Sequence, residues 1–286
     1  MPQNWVRGKL LWKPGPGASI NWNHPLATNL VGAWLCNHNG GRSAVSLISN
    51  QDDLPFIGDT SWVSGRPYGG PLINTFDVSS GCQNTTPTSL LKPTAQVSMH
   101  YRGAETGQPT GSDNVAIFSM AYTNSNSTPF WAYGIHRDTT DQTGVYWLDD
   151  AGGTSNNIHA TGLLTSGTPA LSVAFDTTLT YDGVNVKGYF NGVQAATHVR
   201  TGSLSYASSM LNLATNFSSS TPRVATDLML IWNRGLTPNE VWWVHNEPYA
   251  MLDYRVPRTL VFFGRTAPAA PIVPWQDQQI PQLLPQ

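Results

Sequence analysis

Asp227-Leu-Met-Leu-Ile-Trp232-Asn-Arg-Gly-Leu-Thr-Pro-Asn-Glu240-Val241 is the stretch that decides the fold. Leu228 to Trp232 is an apolar run of about one strand's length. Asn233-Arg-Gly235 breaks it. Thr237-Pro-Asn-Glu240 then has the spacing of a capping box, in which the threonine hydroxyl accepts from a first-turn amide and the glutamate reaches back. Pro238 takes the first helical position, where its missing N–H costs nothing, and Pro248 predicts a helix end near Asn246.

Immediately upstream lies a meander. Asp182-Gly183 and Asn191-Gly192 read as two-residue type I′ turns, which need positive φ at both central positions. Between them Val184-Asn-Val-Lys-Gly-Tyr-Phe190 alternates. Val184, Val186 and Phe190 are expected on a core face, with Asn185, Lys187 and Tyr189 on a wetter one. Flanking runs at 171–181 and 193–199 complete three strands.

Together these residues resemble the laminin-G-like, or concanavalin A-like, lectin/glucanase domains. The matching motifs are Thr180-Tyr-Asp-Gly183, Tyr189-Phe-Asn-Gly192 and Ile231 through Glu240. Leu30-Val-Gly-Ala-Trp34-Leu35 is similar to the family's first strand and Val97-Ser-Met-His-Tyr101 to a central one. The resemblance covers about 28–250 and implies an all-β, two-sheet antiparallel jelly-roll sandwich with one short C-terminal helix. Outside it, 1–27 reads as an N-terminal arm and 251–286 as a basic, then Pro-rich, C-terminal arm. Glu247-Pro-Tyr-Ala-Met251 and Val256-Pro-Arg258 resemble the tails of such domains encoded by phages and environmental bacteria.

Composition agrees with a sandwich. The 286 residues include only 11% charged side chains, with 26 Gly and 21 Pro to turn short strands. A net charge of −2 excludes the basic footprint of a nucleic-acid binder, Arg255, Arg258 and Arg265 reading as a solvated or subunit-contacting stretch. No run approaches the ~18 apolar residues of a membrane span, and no charged-then-apolar leader opens the sequence. Asn84, Asn126 and Asn216 sit in glycosylation sequons that read as chance occurrences. Cys36 and Cys82 either pair or stay free, since pairing depends on Cα separation.

Catalysis by the resembled glucanases needs carboxyl groups on one strand face, and retaining glycosidases place two of them about 5–5.5 Å apart. Here the glutamates are Glu105, in a Gly-Ala-Glu-Thr-Gly loop, Glu240, in the cap, and Glu247, before a proline; none has an acid two residues away. Asp52-Asp53 and Asp149-Asp150 are adjacent and read as turn residues. Nucleophile elbows, zinc motifs and phosphate loops are absent from the sequence, and its seven histidines lack metal-ligand spacing. No catalytic residue and no cofactor is therefore expected. Asp138, Asp141, Asp149 and Asp150 are loop carboxylates of the kind calcium takes, and ordinary turn chemistry accounts for them equally.

Binding is the remaining chemistry. Sugars stack on exposed aromatic rings, and the loop candidates are Trp62 and Tyr68, with Trp131 and Tyr133 beside Tyr122 and Phe130. Tyr146-Trp147 next to Asp149 is a further group, although Trp34, Trp147 and Trp232 read as core. Trp5, Trp12, Ile272, Trp275, Leu283 and Leu284 give the arms more large apolar groups than a solvated linker carries, which suits contacts with neighbouring subunits. The expectation is a non-enzymatic phage virion or decoration protein, made in the host cytoplasm, oligomeric or bound to other virion proteins, and adhering to cell-surface glycans. The alternative is a soluble, extracellular carbohydrate-binding module, and a glycoside hydrolase is the remote third.

Overall fold

The computed structural model describes residues 13–38, 40–65, 70–74, 80–107, 115–121, 131–137, 144–149, 155–160, 173–199, 201–204, 206, 210–214 and 223–253. Strands are numbered in chain order. The first sheet runs, in space, β12 (Ser155–Ala160), β11 (Gly144–Asp149), β10 (Trp131–Arg137), β9 (Val115–Ala121), β16 (Met210–Leu213), β7 (Gly81–Asn84), β4 (Leu54–Ile57) and β3 (Ser43–Ala44). The second runs β15 (Val193–Val199), β14 (Asn185–Phe190), β13 (Ala174–Tyr181), β8 (Val97–Gly107), β17 (Arg223–Trp232), β6 (Gly70–Asn74) and β5 (Ser61–Gly65). β2 (Leu30–Leu35) also belongs to it, pairing with Leu228 to Trp232 of β17, while β6 takes Ala225 and Thr226. A two-residue ladder joins β1 (Ser19–Ile20) to β18 (Leu252–Asp253). All pairings are antiparallel among the described residues, and α1 (Pro238–Asn246) is their one α-helix. The expected two-sheet sandwich with a short late helix is what forms.

Two cores explain why β17 is apolar on every side. Met229 and Ile231 point between the sheets into a cluster with Trp34, Tyr101, Phe118 and Leu179. Leu228, Leu230 and Trp232 point the other way, into a second cluster with Leu26, Val241, Val244 and Met251. A strand buried on both faces reads as a continuous apolar run rather than an alternation. The second cluster exists because the sheet's outer face is roofed by α1, the 18–27 segment and 249–252. Residues 13–27, expected as the larger part of an arm, therefore pack on the sandwich: Leu26 is fully buried and Ala27 nearly so. Trp232 donates its indole N–H to Leu26 O at 2.6 Å.

The helix begins and ends as expected. Thr237 Oγ1 accepts from Glu240 N, and Glu240 Oε2 accepts from Thr237 N at 2.9 Å. Arg234 clamps the same carboxylate at 2.8 Å and donates to Thr28 O at 2.9 Å. The family-like Trp-Asn-Arg stretch is thus scaffold that ties strand, helix and N-terminal segment together.

The meander departs from expectation in three places. Asn191 and Gly192 have φ of 46° and 75°, as a type I′ turn requires. At the other turn only Gly183 is positive, at 95°. Tyr181 pairs with Val186, and Asp182 N donates to Asn185 O, so the central residues are Gly183 and Val184, one position later than expected. Asp182 Oδ1 accepts from Val184 N and Asn185 N, a local side-chain bond that sets this register. Val184 is consequently at the turn tip and 51% exposed, not on the core face. Tyr189, expected in water, is buried in the second cluster because the roof covers that face. Glu105 is likewise not in a loop: it lies in β8, opposite Val224.

Cys36 and Cys82 are both buried and free. Asn84 is no open sequon, since its amide nitrogen donates to Gln51 O at 2.7 Å and its oxygen accepts from Thr86 N. Asn126, Asn216, Arg255, Arg258 and Arg265 lie outside the described residues.

Candidate functional site

Buried charge gathers under the roof. The register of β17 against β8 skips from Thr226–Gly103 to Leu228–Arg102, so Asp227 is an extra residue without a partner across the ladder. Such a bulge re-aims a side chain. Here it turns the Asp227 carboxylate into the roof layer, where it meets Lys13 Nζ at 2.6 Å, Arg102 Nε at 3.3 Å and the Tyr249 hydroxyl at 2.5 Å. Asp176, two strands away on β13, accepts from or pairs with His245 Nδ1 at 2.6 Å and lies 3.8 Å from Arg102. His100, fully buried on the same face, shares a 2.9 Å hydrogen bond with Thr178. Burial pushes the His100 pKa down to about 4, with Arg102 and His245 adding to the fall and Asp176 and Asp227 opposing it. His245 and Asp176 have the look of a proton-transfer pair, yet no serine or cysteine is bonded to that histidine among the described residues. The layer binds the roof to the sheet.

Glu240 and Glu247 are committed in the same way. Glu240 is held by Thr237 and Arg234, which lowers its pKa against the raising effect of burial, and Glu247 accepts from Trp243 Nε1 at 2.9 Å. Asp52 accepts from both the amide and the hydroxyl of Thr88 at 2.8 Å, and Asp53 accepts from Ser46 N at 2.8 Å.

The expected aromatic residues separate. Tyr133 is not a loop residue: it lies in β10, is fully buried, and donates to Leu91 O at 2.8 Å, with burial raising its pKa. It belongs to the inter-sheet core because Tyr133 and Ile135 alternate inward around Gly134. Trp131 opens the same strand, opposite Ala121, and its side chain lies outside the described residues. So do Tyr68, Tyr122, Phe130, Asp138, Asp141, Asp150 and the side chains of Tyr146, Trp147 and Asp149. The arm residues Trp5, Trp12, Ile272, Trp275, Leu283 and Leu284 are also outside. Trp34 and Trp232 are fully buried, as expected.

Trp62 occupies an edge strand, β5, rather than a loop, and is half-buried. Its indole N–H donates to Gly41 O at 3.1 Å. One side of the ring rests on Phe56, with centroids 5.5 Å apart, and His38 lies at 6.4 Å. Burial lowers the pKa of His38 while Asp53 opposes the shift. Asn37 Oδ1 and His38 Nδ1 are shielded polar atoms without a hydrogen-bond partner among the described residues. Trp62 is therefore a fixed aromatic ring on an edge strand of the sandwich, with His38 beside it.

The exposed rings that sequence reasoning missed are Trp22 and Trp242, at 58% and 60% exposure. Trp22 stands in an amide-rich turn, Asn21-Trp-Asn-His24, and Trp242 is at a solvent-facing position of α1. Helical spacing was the available sign: Val241 and Val244 take the buried face, which leaves Trp242 outside it.

No protein-family model matches the sequence, and no curated protein matches it. Solved structures do. Domain 4 of AbnA, an extracellular arabinanase from Geobacillus stearothermophilus in complex with arabinotriose, has TM-score 0.58 and 15% identity over 76% of this chain and 98% of that one. The binding domain of Paraclostridial Mosquitocidal Protein 1 has TM-score 0.57 and 14% identity over 79% and 53%. Trypanosoma rangeli sialidase, in complex with the inhibitor DANA, has TM-score 0.55 and 12% identity over 77% and 33%. This chain thus spans about half of the mosquitocidal binding domain and a third of the sialidase. At these identities the likeness is one of fold, a β-sandwich.

Proposed function

We propose that this chain is a non-enzymatic, lectin-like carbohydrate-binding module, with Trp62 as a sugar-stacking residue. The observation that carries the reading is the mount of that indole, held by Gly41 O, Phe56 and His38 while part of the ring stays open. A pre-ordered ring loses little conformational freedom on binding. His38, beside the indole, keeps a shielded Nδ1 without a hydrogen-bond partner among the described residues. The arabinotriose complex of AbnA domain 4 supports the ligand class, because that domain matches almost end to end. The non-enzymatic reading is supported by Glu240, Glu247, Asp52, Asp176 and Asp227, which are all engaged in caps, hydrogen bonds or ion pairs.

The virion and decoration reading keeps only its sequence argument. It rests on the terminal segments, and none of the similar structures named above is a virion protein.

Affinity electrophoresis in gels containing single neutral polysaccharides, with calorimetric titration of arabinotriose, tests the proposal. Retardation in at least one gel, reduced by Trp62→Ala without loss of thermal stability, is expected. Release of reducing sugar, or no retardation in any gel, would overturn it.

A further inference from the structure

We propose a second carbohydrate surface on the roof, built on Trp22 and Trp242 and suited to uncharged oligosaccharides; it shares its ligand class with the Trp62 reading and rests on it. The two rings are the exposed tryptophans among the described residues. Leaving such large apolar groups in water forgoes burial that a Trp ordinarily provides, and exposed apolar surface of this kind marks recognition sites.

Neither ring hangs on a loose segment. Asn21 N donates to Met251 O at 2.8 Å, Asn21 Oδ1 accepts from Asn23 N at 3.1 Å, and His24 N donates to Asn21 O at 2.9 Å, which closes the turn around Trp22. His24 Nδ1 in turn accepts from Leu26 N, and its ring lies 4.8 Å from that of Trp243, the helical neighbour of Trp242. Trp242 sits within the capped helix, and its carbonyl accepts from Asn246 Nδ2 at 2.8 Å. The His24–Trp243 contact joins the two mounts into one packed layer.

Charge selects the ligand. No Lys or Arg occurs in 14–33 or 235–254, and the cations that reach this layer from outside those segments, Lys13, Arg102 and Arg234, are held in ion pairs with Asp227, Asp176 and Glu240. Anionic membranes and nucleic acids both require clustered basic groups. Burial lowers the pKa of His24, against the effect of Glu247, so that ring adds no cation near neutral pH. Glu247 is occupied by Trp243. The same segments carry the neutral residues Asn21, Asn23, Pro25, Thr28 and Asn246, with Asp253 as an exposed carboxylate at the end of the β1–β18 ladder. Exposed apolar rings in amide-rich segments match the apolar faces and hydroxyls of a neutral sugar chain. Trp62 is in a different place, on β5 at the margin of the sheet and against the inter-sheet core.

The test compares wild type, Trp62→Ala and Trp22→Ala/Trp242→Ala in the same polysaccharide gels, with co-sedimentation on phosphatidylcholine/phosphatidylserine vesicles and light scattering in parallel. Both exposed tryptophans can be removed without opening the core, so equal thermal unfolding should accompany about a tenfold loss of apparent affinity in the double variant. If Trp62→Ala removes retardation and the double variant binds like wild type, the roof surface is refuted while the carbohydrate reading stands. If wild type is retarded in no gel, both fall. Sedimentation with vesicles, or self-association, abolished by the double variant without any polysaccharide retardation would assign the rings to a membrane or a second copy and overturn the proposal.

Discussion

Lys13 Nζ lies 2.6 Å from Asp227 Oδ1, both side chains almost wholly out of water, and the same ammonium donates to Cys36 O at 2.7 Å. An N-terminal residue therefore neutralises a carboxylate that a bulge has turned inward from the most diagnostic strand. Removing one partner of a buried pair leaves an uncompensated charge, which costs far more than the pair contributes net. Lys13→Met is expected to lower unfolding free energy in urea by about 2–4 kcal/mol, Arg102 and Tyr249 limiting the loss. A change within about 0.5 kcal/mol, the range of ordinary surface substitutions, would mean that the 13–20 segment is not held this way.

His100 makes stability depend on acid. Its folded pKa of about 4 lies below the ordinary 6.5, so the unfolded chain binds the proton more readily between those values. Stability is unaffected by this group above pH 6.5 and is lost as pH falls from there toward 4, by up to about 3 kcal/mol. Urea titrations at pH 7.5, 6 and 5 should show the decline, with a shallower one in His100→Gln. Identical slopes in the two proteins would sink the assignment.

Gly192 couples the β14–β15 turn to the helix. Its φ is 75°, and a Cβ there would meet the His245 ring at 2.9 Å. Gly192→Ala is expected to cost about 1–3 kcal/mol, from left-handed backbone and from the displaced ring. In a His245→Ala background the ring contacts disappear while the contact with the Cβ of residue 245 stays, so the penalty should shrink in part; an equal penalty would place the effect in the backbone and that Cβ contact.

The thiols should be silent. Burial raises the pKa of Cys36 to about 12 and that of Cys82 well above its usual value. Neither is expected to react with Ellman's reagent at pH 8 in the native protein, and both should react in guanidinium, since only the thiolate is nucleophilic. Two fewer titratable thiols in the unreduced, denatured chain would reveal a disulfide instead.

Much of the sandwich was legible because its strands and caps are local. Asn191-Gly192 carries its own turn geometry, and Thr237 with Glu240 carries its own cap. What was not legible depends on what lies over a sheet. Tyr189 alternates with Val186 and Phe190 as an exposed residue would, and only the roof makes it core. Tyr133 sits in a Ser/Asn-rich neighbourhood but points inward from a strand. Asp182 moved its turn by one residue through a side-chain bond that competes with the Asp-Gly rule. The role of Asp227 needs Lys13, Arg102 and Tyr249, which come from elsewhere in the chain. Of the binding candidates, Trp62 is half-buried on an edge strand, while Trp22 lies in the 1–27 segment, whose packing on the sheet depends on residues far along the chain.

The pairing of Ser19 with Asp253 has a mechanical side. A pull applied to the chain before Lys13 and after Asp253 meets the Lys13 anchor and a two-residue ladder loaded from its open end, one pair at a time. Tension then peels the roof before it reaches either large sheet. Under load the layer would act as a fuse, so a single-molecule extension trace should show a small, low-force step ahead of the main rupture, and Lys13→Met should lower that step alone.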